Sequence, residues 1–434
     1  MFKRLIYAFK SKDTRKKLLL TFALLLIYRI GCWIPVPGLD FVAFNESISD
    51  VSFYNLLSSA SGGALANGAL LALGIGPYIT ASIIIQLLTL VVPKLEKLVK
   101  EGGEEGKKRV AWYTKLCALV LSVAQAIAIV ISYGDTLDAS LFNGAVPLWV
   151  IGTMVALILI AGSMFTYWLG EKITEIGLGN GQSLLIFVGI LSTAGSSLLA
   201  TVTSIKDDVA GNLTQLGLFL FSLVLIFGFI VFMDLAERKI PVQYAKQIKG
   251  RKMYGGQNSF IPIRISATGV MPIIFATALL SFPQMIISIF DSDFSGGFAQ
   301  FWSKYLGTGT WLYIVIVGLL ILAFTYFWAQ ITFNPDDVSK NIQQNGGFIP
   351  GIRPGKPTSQ YLKKISGRIT LFGAIFLAII AIIPSLIFKG IGSGALVNAF
   401  SATGLLIVVS VALEFDKQLE AQMLMKNYRG FLNK

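Results

Sequence analysis

The sequence predicts an all-α, polytopic membrane protein with ten transmembrane helices and with both termini in the cytoplasm. Hydrophobic residues make up 54% of the 434 residues and charged residues only 14%, whereas soluble proteins carry about a quarter charged residues. The apolar residues lie in long blocks, such as 314–331 and 369–387. Each block is close to the ~20 residues that cross a bilayer as a helix.

Lysine and arginine are concentrated in six clusters along the chain. These clusters hold 32 of the 36 basic residues but only 14 of the 23 acidic ones, and the connections between them carry nine acids against three lysines. Cytoplasmic loops of membrane proteins carry this excess of positive charge. The clusters predicted to be cytoplasmic are 1–17, 94–115, 171–175, 234–264, 336–368 and 414–434. The chain must leave and return in each of the five gaps, which gives ten spans.

The short polar connection 204–213 is predicted to be an external hinge between two halves. The N-terminal half, 1–203, holds spans one to five, and the C-terminal half, 214–434, holds spans six to ten. Because five is odd, the second half is inverted relative to the first, as in pseudo-symmetric proteins with a site at the interface of their halves. The C-terminal half also carries two long cytoplasmic loops, 234–266 and 333–364.

The second apolar block has an unusual beginning. Residues 61–69 are mostly Gly, Ala, Ser and Asn, residues 79–92 are apolar, and Gly74, Gly76 and Pro77 lie between them. A broken membrane segment is tolerated where protein covers its backbone or where it lines an aqueous cavity. This stretch predicts a short re-entrant half-helix, 57–70, that leads into the second span at the wall of a pore. The alternative is a glycine-rich external loop before an ordinary span.

The other spans follow in order. They are predicted near 18–35, 116–134, 148–169, 182–203, 214–233, 268–290, 311–332, 369–388 and 394–413. Gly177, Gly179 and Gly181 imitate a dinucleotide-binding motif, but no strand precedes them, so we predict a turn that leads into the fifth span. Pro272 and Pro283 are predicted to break the seventh span.

The spans contain almost no group that could perform catalysis or bind an ion. The chain has no histidine, its two cysteines have no zinc spacing, and Arg29 is the one charged residue within a predicted span. Ion-coupled transporters normally carry ionisable residues at membrane depth. The stretch 351–358 (GIRPGKPT) is not a phosphate-binding loop, because its glycines are too close together. We therefore predict no catalytic residue, no metal and no cofactor, and a partner that supplies any ATP-driven work.

An apolar constriction lined by isoleucine can exclude ions while it remains deformable, which suits a conduit for a large and chemically varied substrate. Several segments of the chain resemble the SecY family, the central subunit of the bacterial protein-conducting channel. They are RIGCWIPVPG (29–38), SGGALANGALLALGIGPYITASIIIQLL (61–88), WLGEKITEIGLGNGQSLLIF (168–187), IPVQYAKQIKGRKMYGGQ (240–257), GVMPIIFA (269–276) and FNPDDVSKNIQQNGGFIPGIRPGKPT (333–358). The resemblance covers essentially the whole chain.

The resemblance implies an hourglass-shaped channel in the bacterial plasma membrane, which passes unfolded secretory polypeptides and releases membrane helices laterally. The implied pore ring is Ile75, Ile79, Ile186, Ile274 and Ile407. The implied plug, 57–70, contains Ser61, Gly62, Gly63, Ala64, Leu65 and Asn67, and its small residues predict that it is held without strong anchoring. The implied lateral gate includes Thr80, Gln125 and Pro272.

The resemblance also implies partners. The cytoplasmic residues expected to dock the ribosome or the SecA motor are Arg238, Lys246, Lys249, Arg251, Lys252, Arg353 and Lys356. SecE is expected to clamp the two halves and SecG to lie at the periphery, while signal sequences, nascent chains and lipids meet at the gate. No enzymatic activity is implied.

The sequence also allows purely structural explanations of these residues. The isoleucines could simply pack helix against helix, without forming a ring. Thr80 and Gln125 could form ordinary interhelical hydrogen bonds. The basic loop residues could serve solely to set the topology. A solute transporter with inverted repeats would lack a sequence feature for coupling. A structural scaffold would leave the glycine-rich half-helix without a purpose.

Overall fold

The chain folds into two compact units that are built almost entirely of α-helices. A computed structural model describes residues 11–40, 43–44, 58, 61–100, 102–132, 134–137, 147–204, 209–244, 247–249, 252–254, 258–265, 271–290, 296–307, 310–391 and 402–432. The first unit comprises Met1–Leu216, Leu280–Thr310 and Gly392–Lys434, and the second comprises Gly217–Leu279 and Trp311–Ile391. These two units do not test the predicted division into two inverted halves, 1–203 and 214–434.

The first unit contains the helices of the N-terminal half and the last helix of the chain. Its helices are α1 (Lys12–Gly31), α2 (Gly76–Val91), α3 (Pro93–Lys100), α4 (Gly103–Ser132), α5 (Leu148–Ile176) and α6 (Gly181–Ser204), and later α9 (Gly297–Leu306) and α13 (Ala402–Leu432). Helices α2, α4, α5 and α6 pack in sequence order, and α1 packs on α5 and α6. Two further helices, α7 (Val209–Leu235) and α8 (Met271–Phe290), contribute residues to both units.

The turn between α5 and α6 is a glycine turn, as predicted. Gly179 has a φ of 96°, which a residue with a side chain rarely adopts. The carboxamide oxygen of Asn180 accepts hydrogen bonds from the backbone N–H groups of Gln182 and Ser183, which satisfies donors in the first turn of α6. The motif is therefore a helix connection and not a nucleotide site.

The second unit joins membrane helices to a small module of strands and one helix, called the cytoplasmic module after the side of the membrane that the sequence predicts for its loops. Its remaining elements are β1 (Glu237–Tyr244), β2 (Gln247–Lys249), β3 (Lys252–Tyr254), β4 (Asn258–Arg264), α10 (Trp311–Thr332), α11 (Pro335–Gln344), β5 (Gly347–Phe348) and α12 (Lys356–Ile391). Helices α10 and α12 pack against each other. Strand β1 pairs antiparallel with β4 and with β5, and β2 pairs with β3.

The strands lie in two stretches that the sequence predicts to be loops, 234–266 and 333–364. In β1 the side chains of Ile240 and Val242 are buried while their neighbours are exposed or half-buried, which is the alternation of a strand with one covered face. They form a buried cluster with Ile263, Ile342 and Leu362. The two long basic loops therefore fold together.

Two further expectations need correction. Pro272 is the second residue of α8 and does not break it, because proline is tolerated in the first turn, where its missing N–H has no partner to lose. Pro283 does lie inside the helix. The loop after span two also contains a helix, since α3 follows α2 at an angle of 102°.

Several helices have the length and composition of membrane spans. Four stretches qualify alone, Gly103–Ile131, Leu148–Ile176, Trp311–Gln344 and Lys356–Ile383, and the bent pair Gly76–Thr89 and Pro93–Val99 forms a fifth candidate. Large apolar side chains on these helices are exposed, for example Leu157 at 67% and Leu319 at 61%. Such outward apolar surface fits contact with lipid. The all-α membrane fold is thus confirmed, and the count of ten spans stays a prediction.

Candidate functional site

Segment 61–70 of the predicted plug consists of turns and not of an α-helix, whereas Ser58, the other described residue of the plug, is helical. Gly62, Gly63 and Gly68 have φ angles of 74°, 83° and 54°. These left-handed conformations interrupt any right-handed helix and are open mainly to glycine. The predicted half-helix is therefore wrong over these residues, because the glycines that suggested a broken span act as turn residues.

Three side chains at the end of α1 hold the beginning of this segment. The guanidinium Nη1 of Arg29 donates to the carbonyl oxygen of Gly62 at 3.0 Å. The hydroxyl of Tyr28 donates to the carbonyl oxygen of Ser61 at 3.3 Å, and the thiol of Cys32 lies 3.7 Å from the same oxygen. The end of α1 thus provides three donors to the consecutive carbonyl groups of Ser61 and Gly62.

The chain that follows α1 holds the other end of the segment. The backbone N–H of Val36 donates to Gly68 at 2.9 Å, and the N–H of Leu70 donates to Ile34 at 2.8 Å. This backbone pairing is a short antiparallel bridge across RIGCWIPVPG. The bridge joins Pro35 of that motif to Ala69 of the glycine-rich stretch.

The segment is also buried by apolar contacts. Leu65 and Leu73 belong to a buried cluster with Ile129 of α4 and Val155 of α5. Gly162 of α5 lies directly against the backbone carbonyl of Leu70, where a side chain would collide. The expectation of a weakly anchored plug is therefore wrong, because hydrogen bonds and close packing both hold the segment.

The predicted pore-ring residues are divided between the two units. Ile75 precedes the first residue of α2, and the backbone N–H of Ile79 donates to its carbonyl at 3.1 Å, so the two are one helical turn apart. Ile186 of α6 and Ile407 of α13 are buried in the first unit, whereas Ile274 of α8 is half-buried in the second. Their convergence on one ring stays a prediction.

The predicted gate residues of the first unit lie on two helices that pack together, α2 and α4. The hydroxyl of Thr80 donates to the carbonyl of Gly76 within α2. Gln125 of α4 is buried, and its Oε1 has no hydrogen-bond partner among the described residues. Gln86 of α2 is not among the predicted gate residues, but its Oε1 is also buried without a hydrogen-bond partner among the described residues. Pro272 lies in the second unit.

The predicted docking residues lie on or near the cytoplasmic module. Arg238 is exposed on β1, and Lys249 and Lys252 are register partners at the end of the β2–β3 hairpin. Lys246 and Arg251 lie outside the described residues. Arg353 and Lys356 are exposed next to the first turn of α12.

The loop that carries Arg353 is held firmly. The hydroxyl of Thr358 donates to the carbonyl of Arg353 at 2.8 Å, and the hydroxyl of Ser339 donates to the carbonyl of Gly355 at 2.8 Å. Gly351 and Gly355 have φ angles of 82° and 96°. An exposed cation on a fixed loop can present its charge to a partner at little cost in conformational entropy.

Comparison with solved structures defines the class of this fold. A structure described as that of a protein-conducting channel matches with a TM-score of 0.68 at 21% identity, over 94% of this chain and 92% of that one. Sec61 in the canine ribosome–channel complex from the endoplasmic reticulum matches with a TM-score of 0.63 at 20% identity, over 94% and 92% of the two chains. The fold is that of a protein-conducting channel.

Comparison of sequences identifies the family. The SecY family profile matches residues 69–415. The protein translocase subunit SecY of Streptomyces coelicolor is 39% identical over 438 residues, 98% of each chain, and that of Mycobacterium tuberculosis is 39% identical over 455 residues, the full length of both. The chain belongs to the SecY family. This confirms a multi-pass integral membrane protein that is a channel subunit and not an enzyme.

Proposed function

We propose that this chain is the central subunit of a channel that passes unfolded secretory polypeptides across the bacterial plasma membrane. The observation that carries the proposal is the full-length similarity to SecY translocase subunits, together with a buried glycine-rich segment between α1 and α2. A segment that a polypeptide must displace is the expected seal of a channel that rests closed.

The seal has two proposed parts. Segment 61–70 is the plug, and the isoleucine side chains at 75, 79, 186, 274 and 407 form the ring. Apolar side chains of this kind exclude water and ions from a narrow pore, yet they make no directional bonds that would select one passing side chain over another. The predicted spans contain almost no ionisable residue, which supports a passive conduit rather than an ion-coupled carrier.

The gate is proposed to open sideways to lipid. The polar groups of Thr80 and Gln125 on α2 and α4, with Pro272 on α8, weaken purely apolar packing at the place where a signal sequence enters. In this proposal the second and third spans part from the seventh and eighth. An unpartnered buried amide oxygen makes the closed gate less stable than an apolar gate of the same shape. Signal sequences and membrane helices of nascent chains are the proposed ligands, and membrane lipid is the proposed acceptor.

The cytoplasmic module is proposed to bind the partners that drive transport. Arg238, Arg353 and Lys356 are exposed on a fixed support, which suits the phosphates of ribosomal RNA or an acidic surface of SecA. Lys246, Lys249, Arg251 and Lys252 are proposed to belong to the same surface. The structures of ribosome-bound Sec61 and Ssh1 channels support a ribosome as a partner of this fold. SecE and SecG are the proposed membrane partners.

Reconstitution tests the proposal. Proteoliposomes that contain this chain with SecE and SecG should import a secretory precursor when SecA and ATP are supplied outside. The control is the same vesicle with a precursor that lacks its signal sequence. Import of both precursors to the same low extent would contradict the proposal.

A further inference from the structure

The end of α1 carries a charged side chain inside a predicted membrane span. Arg29 lies in the last turn of α1, near the outer end of the predicted first span. A guanidinium there is costly unless it is paired or hydrated. Its contact among the described residues is the hydrogen bond to the carbonyl oxygen of Gly62, and no described carboxylate forms an ion pair with it.

The position of Gly62 is fixed on two sides. A Cβ atom at Gly62 would lie 2.6 Å from Nη1 of Arg29 and 2.9 Å from Cα of Gly189 on α6. Gly62 is therefore held between the guanidinium and the backbone of α6. Its φ of 74° directs the chain so that the carbonyls of Ser61 and Gly62 both face α1.

We propose that Arg29, Tyr28 and Cys32 form a latch that keeps segment 61–70 in the closed position and sets how often the idle channel opens. This inference rests on the proposed function, because it assigns a regulator to the proposed plug. Arg29 is a positioning residue. It acts through the backbone of the plug and needs no contact with the transported chain in the closed state.

The latch explains how a firmly packed plug can still be released. When segment 61–70 leaves, the N–H groups of Arg29 and the hydroxyl of Tyr28 lose their acceptors in a poorly hydrated site, and that loss is costly. Water that enters the outer funnel, or the backbone carbonyls of an entering polypeptide, supplies replacement acceptors. An occupied channel therefore releases the latch, and an empty one closes it.

The native cysteines report on the latch. Cys32 is fully buried, with its thiol at 3.7 Å from the carbonyl of Ser61, so that opening of the latch uncovers it. Cys117 of α4 is half-buried and belongs to no latch contact, and it serves as an internal reference. The rate of alkylation of Cys32 relative to Cys117 measures how often the segment opens, since a buried group reacts only from the open state.

The experiment compares Arg29→Gln, Arg29→Lys and Tyr28→Phe with the unmodified chain, each in vesicles with its membrane partners. Arg15→Gln, an exposed cation on the same helix, is the matched control. A hydrogen bond to a charged group changes an equilibrium by about tenfold or more. Arg29→Gln should therefore raise the relative alkylation of Cys32 and the idle ion leak about tenfold. Arg29→Lys, which keeps the charge and a donor, should restore most of the seal.

Outcomes for the latch and for the channel are separable. If the unmodified chain imports a precursor but Arg29→Gln and Tyr28→Phe change neither alkylation nor leak, the latch is wrong and the channel stands. If Arg29→Gln fails to fold, Tyr28→Phe, which removes one hydroxyl, decides by the same two measurements. If the unmodified chain imports no precursor, the proposed function fails whatever the variants do.

Discussion

The backbone N–H of Leu178 donates a hydrogen bond of 3.0 Å to the hydroxyl of Thr21, 157 residues earlier in the chain. The same hydroxyl donates to the carbonyl of Lys17, so one side chain of α1 holds the turn between α5 and α6. A Cβ atom at Gly177 would lie 2.5 Å from this hydroxyl oxygen, which shows how closely the turn packs. The first helix thus fixes both the plug and the beginning of α6.

Thr21→Val should therefore destabilise the first unit. The substitution keeps the shape of the side chain but leaves the buried N–H of Leu178 without its acceptor, at a cost of about 1–3 kcal/mol. Thermal unfolding in detergent measures the change. Thr21→Ser keeps the hydroxyl and is the control, so equal losses in the two variants would contradict the assigned hydrogen bond.

Gly62→Ala and Gly63→Ala form a matched pair within the plug. Both glycines have a positive φ, which costs about 1 kcal/mol or more for alanine. At Gly63 the new methyl group would meet only Thr193, at 3.9 Å, whereas at Gly62 it would collide with Arg29 and Gly189. The idle ion leak should therefore rise more for Gly62→Ala than for Gly63→Ala. Equal rises would show that backbone strain alone decides, and the reverse order would contradict the collision at Gly62.

Gln125→Leu should stabilise the first unit, in which Gln125 is buried. The substitution removes a buried amide whose oxygen has no described partner, and it replaces a polar group with an apolar one of similar size. We expect a gain of about 1 kcal/mol and a lower rate of signal-dependent import, because Gln125 belongs to the proposed gate and the closed gate becomes more stable. Thermal unfolding and import are measured on the same preparation.

The comparison for that variant is Gln86→Leu. The amide nitrogen of Gln86 donates to the hydroxyl of Ser82 at 3.1 Å, so this substitution also loses a hydrogen bond. Its stabilisation should be smaller. A loss of stability in Gln125→Leu would mean that the amide has a partner in the complete channel.

Arg353→Glu should weaken the binding of the driving partner without unfolding the cytoplasmic module. Arg353 is exposed, and the loop is held by its backbone and not by its guanidinium. Affinity for the ribosome or for SecA should fall about tenfold at low salt, with a smaller difference at high salt because exposed charges are screened. Lys340→Glu, an exposed cation of α11, is the control and should change affinity less.

Leu362→Ala separates the fold of the module from its charge. Leu362 is fully buried with Ile240 and Val242, and its truncation should cost about 2–5 kcal/mol. Limited proteolysis within the two loops that form the module, 234–266 and 333–364, should then accelerate, whereas Arg353→Glu should leave the cleavage pattern unchanged. Equal protease resistance in the two variants would contradict the buried cluster.

The membrane helices could be predicted from the sequence because a span is a local property. The length and composition of an apolar run such as 369–387 are enough to predict a span, and α12 covers this run. The glycine turn at 177–181 was also local, since no strand precedes it. Positive charge in the loops indicated a side of the membrane without any knowledge of the fold.

Contacts between distant segments could not be predicted in this way. Strand β5 pairs with β1 from about a hundred residues later, and the alternation in β1 is short enough to pass for a loop. The half-helix predicted over 57–70 is wrong over 61–70, because glycine favours a turn as readily as it marks a broken span. The sequence does not predict the hydrogen bond of Arg29 to Gly62, because its acceptor is a backbone carbonyl, which every residue type has.

Site-specific crosslinking of an arrested precursor tests the central claim most directly. A photo-crosslinker is placed at Ile79, at Ile274 or at Leu157, an exposed position of α5 that fits contact with lipid. The account predicts that the arrested precursor crosslinks to Ile79 and Ile274 and not to Leu157. Crosslinking at Leu157 alone would place the polypeptide outside the proposed pore and would contradict the account.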